Sequence, residues 1–364
     1  MGNNLKGVER FLKALNREEP DRVPIWELII DRPVIKSLYG DISYADVVEI
    51  LDLDGITAGE DVKMREIEKG KFVCEWGITW GITEFGVVYP LKGPIKSKKD
   101  LIDYQPPDPD ADYRLNTLEE YIDRFKGEKA IVLLSHDAFE FSHYLVGGMA
   151  NLFRLYYKDP EAAHTLAEKI VEYKSRVIER AIKAGADVIL SGDDYADKNG
   201  PLVSPRMFKI FIMPYLKRVV DTAKRYGKPF IKHTDGKIWK ILDMIVATGI
   251  DGLHPIEPCA GMDILKVKRM YGDRICVIGN IDCSYVLPLM SPNDVEEVVK
   301  ETIAKVAPGG GYILSSSNSI HPGVKPENFL VMIKAAKRYG RYPISEELIR
   351  EYGKRNFYSK IFKF

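Results

Sequence analysis

The chain has 364 residues, 45% of them hydrophobic, and its 53 basic residues balance 53 acidic ones. This length is ample for a large hydrophobic core. A formal charge of zero gives no electrostatic basis for binding nucleic acid or an anionic membrane, so we expect a small-molecule substrate instead.

The cysteines and the apolar runs indicate a reducing compartment. Cys74, Cys259, Cys276 and Cys283 form no Cys-x-x-Cys pair, and the opening MGNNLKGVERFLKALN contains no apolar signal core. No apolar run approaches the ~18 residues that a bilayer-spanning helix needs. We therefore predict a cytoplasmic protein with no membrane partner.

The N-terminal portion has a mixed pattern. Its predicted elements, in chain order, are a helix at 5–17, a strand at 22–30 (RVPIWELII), a helix at 44–51 followed by GIT, and a β-hairpin at 72–89. The segment 104–114 (YQPPDPDADYR) resembles a linker but joins two patterned segments. We predict a single domain over residues 1–364 whose N-terminal elaboration and hairpin insertion occupy residues 1–128.

From residue 129 onward, short β-branched runs alternate with longer amphipathic stretches. The runs predicted as strands are 130–134, 186–190, 229–231, 249–253, 274–278 and 311–314. The stretches predicted as helices are 159–184, 205–226, 238–247, 262–271, 291–307 and 326–339. Ser-Pro pairs open two of these helices, in SPRMF and SPNDVEE, where serine caps the helix and proline fits its first turn. Repeated strand-helix units with apolar strands predict an α/β fold, a closed (β/α)8 TIM barrel.

Polar residues follow each of these strands. The segments that come directly after the strands are SHD at 135–137, SGDDY at 191–195, HTDG at 233–236, HPIEP at 254–258, GNIDC at 279–283 and SSSN at 315–318. The carboxyl ends of barrel strands form a single mouth, where active sites of this architecture lie. Loops are often polar simply because they cap helices or face water, but a set gathered from every strand end favours an active site.

Within this mouth, His233 and Asp235 lie two residues apart and share a face if the strand continues through them. Together with Glu257 they form a predicted divalent metal site, for zinc in particular. The same residues equally form an acid-base cluster without metal. Asp193 and Asp194 are adjacent, so we expect them to face opposite ways, with one of them in the mouth and the other capping or orienting.

Further side chains complete the predicted site. His321 is most simply a loop residue, and its imidazole is alternatively a general acid or an anion contact at the rim. The residues predicted to contact substrate are Trp26, His136, Asp193, Asn280 and Asn318. The N-terminal aromatic residues, Trp26 among them, are also typical of a core, as are Trp76, Trp80, Phe85 and Tyr89. Trp76 and Trp80 in the hairpin are alternatively a lid over a flat ligand. Cys283 is either a small buried hydrophobe or a displaced metal ligand.

Five segments carry a resemblance to a known family. They are ERFLKALNREEPDRVPIWE, SPRMFKIFIMPYLKRVVDTAKRYGKPFIKHTDG, GLHPIEP, GNID and SSSNSIHPGVKPENFLVMIKAAKRYGRYP. The chain resembles the uroporphyrinogen decarboxylase superfamily over almost its whole length. That superfamily includes the haem-pathway decarboxylase and zinc-dependent methyltransferases of corrinoid pathways. The resemblance implies a (β/α)8 barrel, in agreement with the alternation of strands and helices, and members that are often homodimers.

One departure concerns substrate charge. The haem-pathway decarboxylase carries paired arginines for its substrate's carboxylates soon after the P-x-W strand. In this chain Trp26 is followed by Glu27 and Asp31, with Arg32 as the neighbouring arginine. Because guanidinium pairs are not easily replaced in carboxylate recognition, this departure disfavours decarboxylation of a polycarboxylate porphyrinogen.

A second departure concerns the metal site. The related methyltransferases bind zinc through a His-x-Cys pair and a later cysteine, whereas this chain has His233, then Asp235, and residues 316–318 near the last position. Glu257 resembles a glutamate of the related methionine synthases. The resemblance thus implies a site whose thiolates are replaced by oxygen ligands, with a harder, weaker or absent metal.

These comparisons within the superfamily imply a function and two alternatives. The first is methyltransferase-type demethylation of a small methoxy or N-methyl compound, with a cobalt(I) corrinoid on a partner protein as methyl acceptor. In it, His233, Asp235 and Glu257 bind metal or relay protons, Asp194 orients substrate and His321 assists. The alternatives are cofactor-free decarboxylation of a tetrapyrrole and non-catalytic corrinoid or tetrapyrrole binding.

Overall fold

The computed structural model describes residues 4–83 and 88–362. Within these ranges the strands are β1 Gly55–Gly59, β2 Met64–Glu68, β3 Lys71–Cys74, β4 Thr79–Ile82, β5 Val88–Lys92, β6 Ala130–Ser135, β7 Val188–Ser191, β8 Ala196–Asp197, β9 Gly200–Pro201, β10 Phe230–His233, β11 Gly252–His254, β12 Cys276–Ile281 and β13 Tyr312–Ser316.

The α-helices in the same ranges follow or connect these strands. They are α1 Gly7–Leu15, α2 Arg32–Tyr39, α3 Tyr44–Ile50, α4 Lys98–Asp103, α5 Asn116–Phe125, α6 Phe139–Leu145, α7 Met149–Lys158, α8 Pro160–Ala184, α9 Pro205–Phe211, α10 Met213–Arg225, α11 Leu242–Ala247, α12 Ile264–Tyr271, α13 Val286–Leu289, α14 Pro292–Val306, α15 Pro326–Tyr339, α16 Glu346–Tyr352 and α17 Tyr358–Ile361. Short 3-10 helices occupy Asp112–Leu115 and Pro258–Ala260.

A curled parallel sheet forms the centre of the fold. In the described part of the chain it has seven strands in the order β1, β6, β7, β10, β11, β12, β13. Each register is parallel, as in Val132 opposite Val188 and Val277 opposite Tyr312. Parallel neighbours require crossover connections, and the helices that supply them cover the sheet. The predicted strand-helix alternation is therefore confirmed as an α/β fold.

The segment 22–30, predicted as a strand, lies between the two edges of this sheet. Ile25 forms an isolated parallel bridge with Leu314 of β13, and its carbonyl accepts a hydrogen bond from the Asp54 amide, next to β1, at 2.8 Å. Ile30 forms a second isolated bridge with Ile320. The segment is thus bridged to β13 and hydrogen-bonded beside β1, but it does not form a regular ladder.

Side-chain charges hold this segment in place. Asp54 is buried and accepts a hydrogen bond from the Ile25 amide at 2.7 Å. The same carboxylate pairs with Arg10 at 2.5 Å and with Arg22 at 2.7 Å. Because both guanidiniums come from outside the sheet, these ion pairs tie α1 and the start of the segment to the N-terminal side of β1.

Several predicted boundaries agree closely with the structure. Helix α15 has the predicted bounds, and Ser204 and Ser291 accept hydrogen bonds from the amides of Met207 and Asp294, as expected of N-caps. The predicted hairpin is instead the antiparallel sheet β2 to β5, and the predicted helix 205–226 is divided between α9 and α10 at Ile212. Phe85 lies outside the described residues. In those residues, no helix combines the length and the apolar composition that crossing a membrane requires.

Candidate active site

A histidine and two carboxylates converge where β7 and β10 end. His233 is the last residue of β10, and its Nε2 atom lies 3.7 Å from Asp194 Oδ1 and 3.8 Å from Asp235 Oδ1. One nitrogen or oxygen atom from each of the three residues lies within 4.8 Å of the others. The structure thus brings together the predicted His233, Asp235 and Asp194, and we refer to these three residues as the His-Asp cluster.

Backbone and side-chain hydrogen bonds orient the two carboxylates. The Asp235 amide donates to Asp194 Oδ1 at 2.8 Å, and Asn318 Nδ2 donates to Asp235 Oδ2. The other oxygen of Asp235, Oδ1, is buried and has no hydrogen-bond partner among the described residues. A buried acceptor without a partner is costly, so this oxygen is suited to a ligand that the protein itself does not provide.

Glu257 lies beside the His-Asp cluster rather than in it. Its Oε2 accepts a hydrogen bond from the Gly236 amide at 2.7 Å, and its Oε1 accepts one from Cys259 Sγ at 2.7 Å. Gly236 has a φ of 84°, and a Cβ at this position would lie 2.6 Å from the Ala196 backbone. The glycine of HTDG therefore permits the tight turn that brings Glu257 close, and the role of Glu257 as a metal ligand stays a prediction.

Asp193 and Asp194 face different ways, as the extended backbone predicted. Asp193 is fully buried and accepts hydrogen bonds from the amides of Asp137 and Glu140, each at 2.7 Å. These contacts fix the start of α6, which begins at Phe139. Asp193 therefore orients the backbone, whereas Asp194 belongs to the His-Asp cluster.

His136 lies on the α6 side of the site. Its Nε2 atom is 3.1 Å from Glu140 Oε2. Burial lowers the pKa of His136, but the hydrogen bond with Glu140 and the Asp193 charge outweigh burial and raise it overall. Burial is the main cause of the raised pKa of both Asp194 and Asp235, and the Glu140 charge raises each pKa further. Glu140, which the sequence analysis did not select, thus adds negative charge to the surroundings of the cluster.

Three predicted residues make other contacts. Trp26 is fully buried in the core, where its Nε1 donates to Thr57 Oγ1 at 3.0 Å. Asn280 donates to the Ile256 carbonyl at 2.9 Å and lines a cavity of about 160 Å³ beside α12 and α14. His321 Nδ1 accepts a hydrogen bond from the Gly323 amide, and His321 Nε2 lies 2.8 Å from the Cys283 carbonyl oxygen. Their predicted substrate or acid roles stay predictions.

The hairpin tryptophans occupy different environments. Trp76 is only 1% exposed, and its ring packs on Phe141 at 4.5 Å and on Tyr173 at 4.6 Å. Trp80 is half-buried and packs edge-on against Tyr144 at 5.2 Å. Burial of Trp76 fits its predicted place in the core, and the lid role of Trp80 stays a prediction.

The structure adds a histidine that the sequence analysis did not select for the site. His254, the last residue of β11, is opposite His233 in the sheet register, and the two Nδ1 atoms are 2.7 Å apart. Its Nε2 is 3.3 Å from Ser315 Oγ, which in turn donates to Glu27 Oε2 at 3.3 Å. The sequence shows His254 only as one of the polar strand ends, because the pairing between strands that gives it this position is not visible there.

Lys232 is a buried cation beneath the His-Asp cluster. Its Nζ donates to the Asp193 carbonyl at 2.8 Å and to Ser191 Oγ at 3.2 Å, and it lies 3.5 Å from Asp137 Oδ2. Both charged side chains are fully buried. Tyr195 also donates its hydroxyl to Asp137. The Lys232 ammonium group is therefore a structural cation, since its N–H groups face Ser191, the Asp193 carbonyl and Asp137.

Burial controls the charges of the cluster. It raises the pKa of Asp194 to about 7 and the pKa of Asp235 well above its usual value, the latter with help from the Asp194 charge. Burial, together with Lys232 and His136, lowers the pKa of His233 to about 3. His233 is therefore neutral at physiological pH, with a hydrogen on one ring nitrogen and a lone pair on the other.

The fold and the site together define an α/β protein whose polar residues gather at the carboxyl ends of a parallel sheet. Residues 82–339 match the family model described as uroporphyrinogen decarboxylase (URO-D), and the chain belongs to this family, whose members are enzymes.

Relatives match nearly the full length of the chain. A uroporphyrinogen decarboxylase from Pseudoalteromonas atlantica is 26% identical, covering 93% of this chain and 98% of its own. The enzyme of the same name from Aeromonas salmonicida is 25% identical, covering 90% and 95%. Among solved structures, a methyltransferase from Methanosarcina mazei superposes with a TM-score of 0.74 at 19% identity, covering 92% of this chain and 99% of that one. This structural likeness establishes a common fold.

Proposed function

We propose that the protein transfers a methyl group from a small methoxy or N-methyl compound to a cobalt(I) corrinoid carried by a partner protein, with assistance from a metal at the His-Asp cluster. The observation that supports this proposal is the convergence of His233, Asp194 and Asp235 within 4.8 Å. In the same proposal, the bridged segment 22–30 supplies the remaining strand position of a closed (β/α)8 barrel.

The residues of the cluster fit a divalent cation. His233 supplies a neutral imidazole nitrogen, Asp194 and Asp235 supply oxygens, and Asp235 Oδ1 is a buried acceptor that lacks a partner in the described residues. Nitrogen and oxygen ligands of this kind suit zinc, and the absence of a thiolate from the cluster favours somewhat harder divalent ions than a cysteine site does. A bound zinc ion would act as a Lewis acid toward the leaving oxygen or nitrogen of the substrate.

The protein's own residues bind and orient the reactants. His233 and Asp235 hold the metal side of the site, Asn318 fixes Asp235 through its hydrogen bond to Oδ2, and the Asp235 amide fixes Asp194. In the transfer, the methyl–oxygen or methyl–nitrogen bond would break, the leaving atom would keep the electron pair, and the corrinoid acceptor would supply the pair for the new bond. The leaving atom would then take up a proton from water.

The charge around the cluster disfavours a polycarboxylate substrate. The cluster contains the carboxyl groups of Asp194 and Asp235, and those of Glu140 and Glu257 lie near it. Arg32, the arginine near the position of the decarboxylase motif, instead pairs with Asp41 and donates to the Ile42 carbonyl at 2.5 Å. An anionic substrate would therefore meet the charges of Glu140 and Glu257 without a guanidinium pair to compensate for them.

Decarboxylation of a tetrapyrrole remains the second candidate because near full-length relatives are named uroporphyrinogen decarboxylase. In this reaction, Asp194 and Asp235 would accept hydrogen bonds from pyrrole N–H groups and no metal would be needed. Binding of a porphyrinogen to metal-free protein, followed by release of carbon dioxide, would favour this candidate over methyl transfer.

Metal content tests the proposal directly. We expect protein purified without a metal-affinity tag to contain about one zinc per chain by mass spectrometry, and His233→Ala and Asp235→Asn to lose it because each removes one ligand atom. Glu257→Gln should retain zinc if Glu257 only supports the turn at Gly236. Loss of zinc in Glu257→Gln would instead place this residue in the metal site.

His164→Ala provides a matched control. His164 contacts the Tyr215 hydroxyl at 2.7 Å on the helical layer, away from the His-Asp cluster, so its loss should leave zinc content unchanged. Thermal melting of every variant checks that the fold is retained. Wild-type protein that takes up no zinc, even after incubation with the ion, would contradict the metal-assisted proposal and leave the tetrapyrrole reaction as the candidate to test.

A further inference from the structure

A continuous line of hydrogen-bonding groups connects the His-Asp cluster to a buried carboxyl group on the segment 22–30. It runs from His233 through His254 and Ser315 to Glu27, with separations of 2.7, 3.3 and 3.3 Å. His254, Ser315 and Glu27 are fully buried, and His233 is 5% exposed. The metal site proposed above uses only the outer end of this line.

The two histidines restrict each other's protonation. Their Nδ1 atoms face each other at 2.7 Å, so one must carry a hydrogen and the other must accept it. If Nδ1 of neutral His233 carries the hydrogen, its Nε2 presents a lone pair to Asp194 and Asp235. If Nδ1 of His254 carries it instead, Nε2 of His233 presents an N–H group, which cannot bind a metal.

Glu27 lies at the far end of this line from His233. Its contacts can determine in which direction the hydrogen bonds of the line run. Its Oε1 accepts the Ser316 amide at 2.9 Å, and its Oε2 accepts the Ser316 hydroxyl at 2.6 Å and the Ser315 hydroxyl at 3.3 Å. A carboxylate accepts all three hydrogen bonds. With its hydrogen directed at Glu27, Ser315 must accept from His254 Nε2, and His254 Nδ1 must then accept from His233.

We propose that Glu27, acting through Ser315 and His254, is a positioning residue that determines whether His233 Nε2 presents a lone pair or a hydrogen to the His-Asp cluster. The carboxylate form sets the lone pair, and the protonated form reverses the hydrogen bonds of the line when its single hydrogen is directed at Ser315 rather than at Ser316. This deepens the proposed function, since the lone-pair form is the one competent to bind zinc.

The environment of Glu27 places its change of charge near neutral pH. Burial raises its pKa to about 8, although the hydrogen bonds from Ser316 and Ser315 oppose the rise. The titratable groups that face it are the hydroxyls of Tyr44 and Tyr312, and burial raises the pKa of each well above its usual value. Both tyrosines are thus neutral while Glu27 titrates, so the lone-pair form of His233 should become dominant as the pH rises through about 8.

Glu27→Gln should lock the line in the reversed direction. The Ser316 amide can only donate, so the amide oxygen of glutamine must occupy the Oε1 position and its NH2 group the Oε2 position, facing the hydroxyls. Ser315 would then donate to His254, and His233 would carry its hydrogen on Nε2. We expect a 10–100-fold loss of zinc affinity above the pKa of Glu27, the range typical for groups that orient a metal ligand.

The experiment measures the tautomer itself. In metal-free protein labelled with 15N-histidine, NMR should show wild-type His233 changing from Nε2–H to Nδ1–H as the pH rises through the pKa of Glu27. Glu27→Gln should show Nε2–H throughout. Zinc affinity, measured by competition with a chelator at the same pH values, should follow the tautomer.

Adjacent serines provide a matched pair of controls. Ser315→Ala interrupts the line and should remove the pH-dependent change, whereas Ser316→Ala removes a contact of Glu27 but leaves the line intact and should keep the change. If wild type and Glu27→Gln have the same His233 tautomer at every pH, the inference is wrong. Wild-type protein that shows the tautomer change but takes up no zinc would contradict the proposed function and leave this inference standing.

Discussion

Asp235→Asn is expected to lower the rate of methyl transfer by roughly a thousandfold, equivalent to about 4 kcal/mol of transition-state stabilisation. The physical reason is the hydrogen bond that Asn318 donates to Asp235 Oδ2. To keep this bond, the amide oxygen of the substituted side chain must take the Oδ2 position, which places its NH2 group where Oδ1 lies. An amide nitrogen has no lone pair for a metal, so the ligand atom that Asp235 directs toward His233 would be lost.

The assay uses reduced cobalamin as a soluble methyl acceptor. Its absorbance change is followed with panels of methoxylated and N-methylated compounds, for wild type and variant. Asp273→Asn is the control, because Asp273 is an exposed residue after α12 and the same change of charge there should leave the rate unaltered. A wild-type rate in Asp235→Asn would remove Asp235 from the reaction.

Lys232→Met should destabilise the protein by about 3 kcal/mol, the lower end of the range for breaking a buried ion pair. Methionine is unbranched and approximates the aliphatic part of the lysine side chain, but it leaves Asp137 in the core without its cation, and the Asp193 carbonyl loses a donor at 2.8 Å. The free energy of unfolding from urea titration measures the effect. Lys224→Met is the matched control: its partner Asp251 lies nearer the surface, so a loss below about 1 kcal/mol is expected.

The pH dependence identifies the cause. Burial and the Asp193 charge raise the pKa of Asp137, whereas Lys232 lowers it, so the substitution should raise it further. A carboxyl group whose folded pKa exceeds its unfolded value, about 3.9, reduces stability as the pH rises above that value. The deficit of Lys232→Met should therefore be small near pH 4 and increase toward neutrality. A deficit independent of pH would indicate lost packing instead.

Much of the fold could be predicted from the sequence because the strands of the central sheet are largely apolar and many helices have a cap or a glycine terminus. Helix α15 and the strand at 130–135 illustrate this, since their limits follow from local composition. The convergence of His233, Asp194 and Asp235 also followed from one rule, that parallel strands end on the same side of a sheet. What failed to follow was the irregular pairing of the segment 22–30, whose neighbours lie at opposite ends of the chain.

The site residues that the sequence analysis did not select were missed for the same reason, because their positions depend on contacts between distant parts of the chain. His254 gains its position from register with His233, and Glu27 gains its position from contact with Ser315 and Ser316, nearly the whole chain away. Glu140 lies in a helix whose start is set by Asp193. None of these relationships has a local signature, because pairing across strands depends on the assembled sheet rather than on the spacing of residues along the chain.

The segment 22–30, which lies between the sheet edges β13 and β1, has a consequence for local unfolding. Isolated bridges at Ile25 and Ile30 replace a regular ladder along this segment, so it should open at a lower free energy than the ladders on either side, and amide hydrogen exchange should be faster there than in β6 or β12. Glu27 lies on this segment, so each opening would separate it from Ser316. Fluctuations of the segment would then change the tautomer of His233 without any displacement of β10 itself.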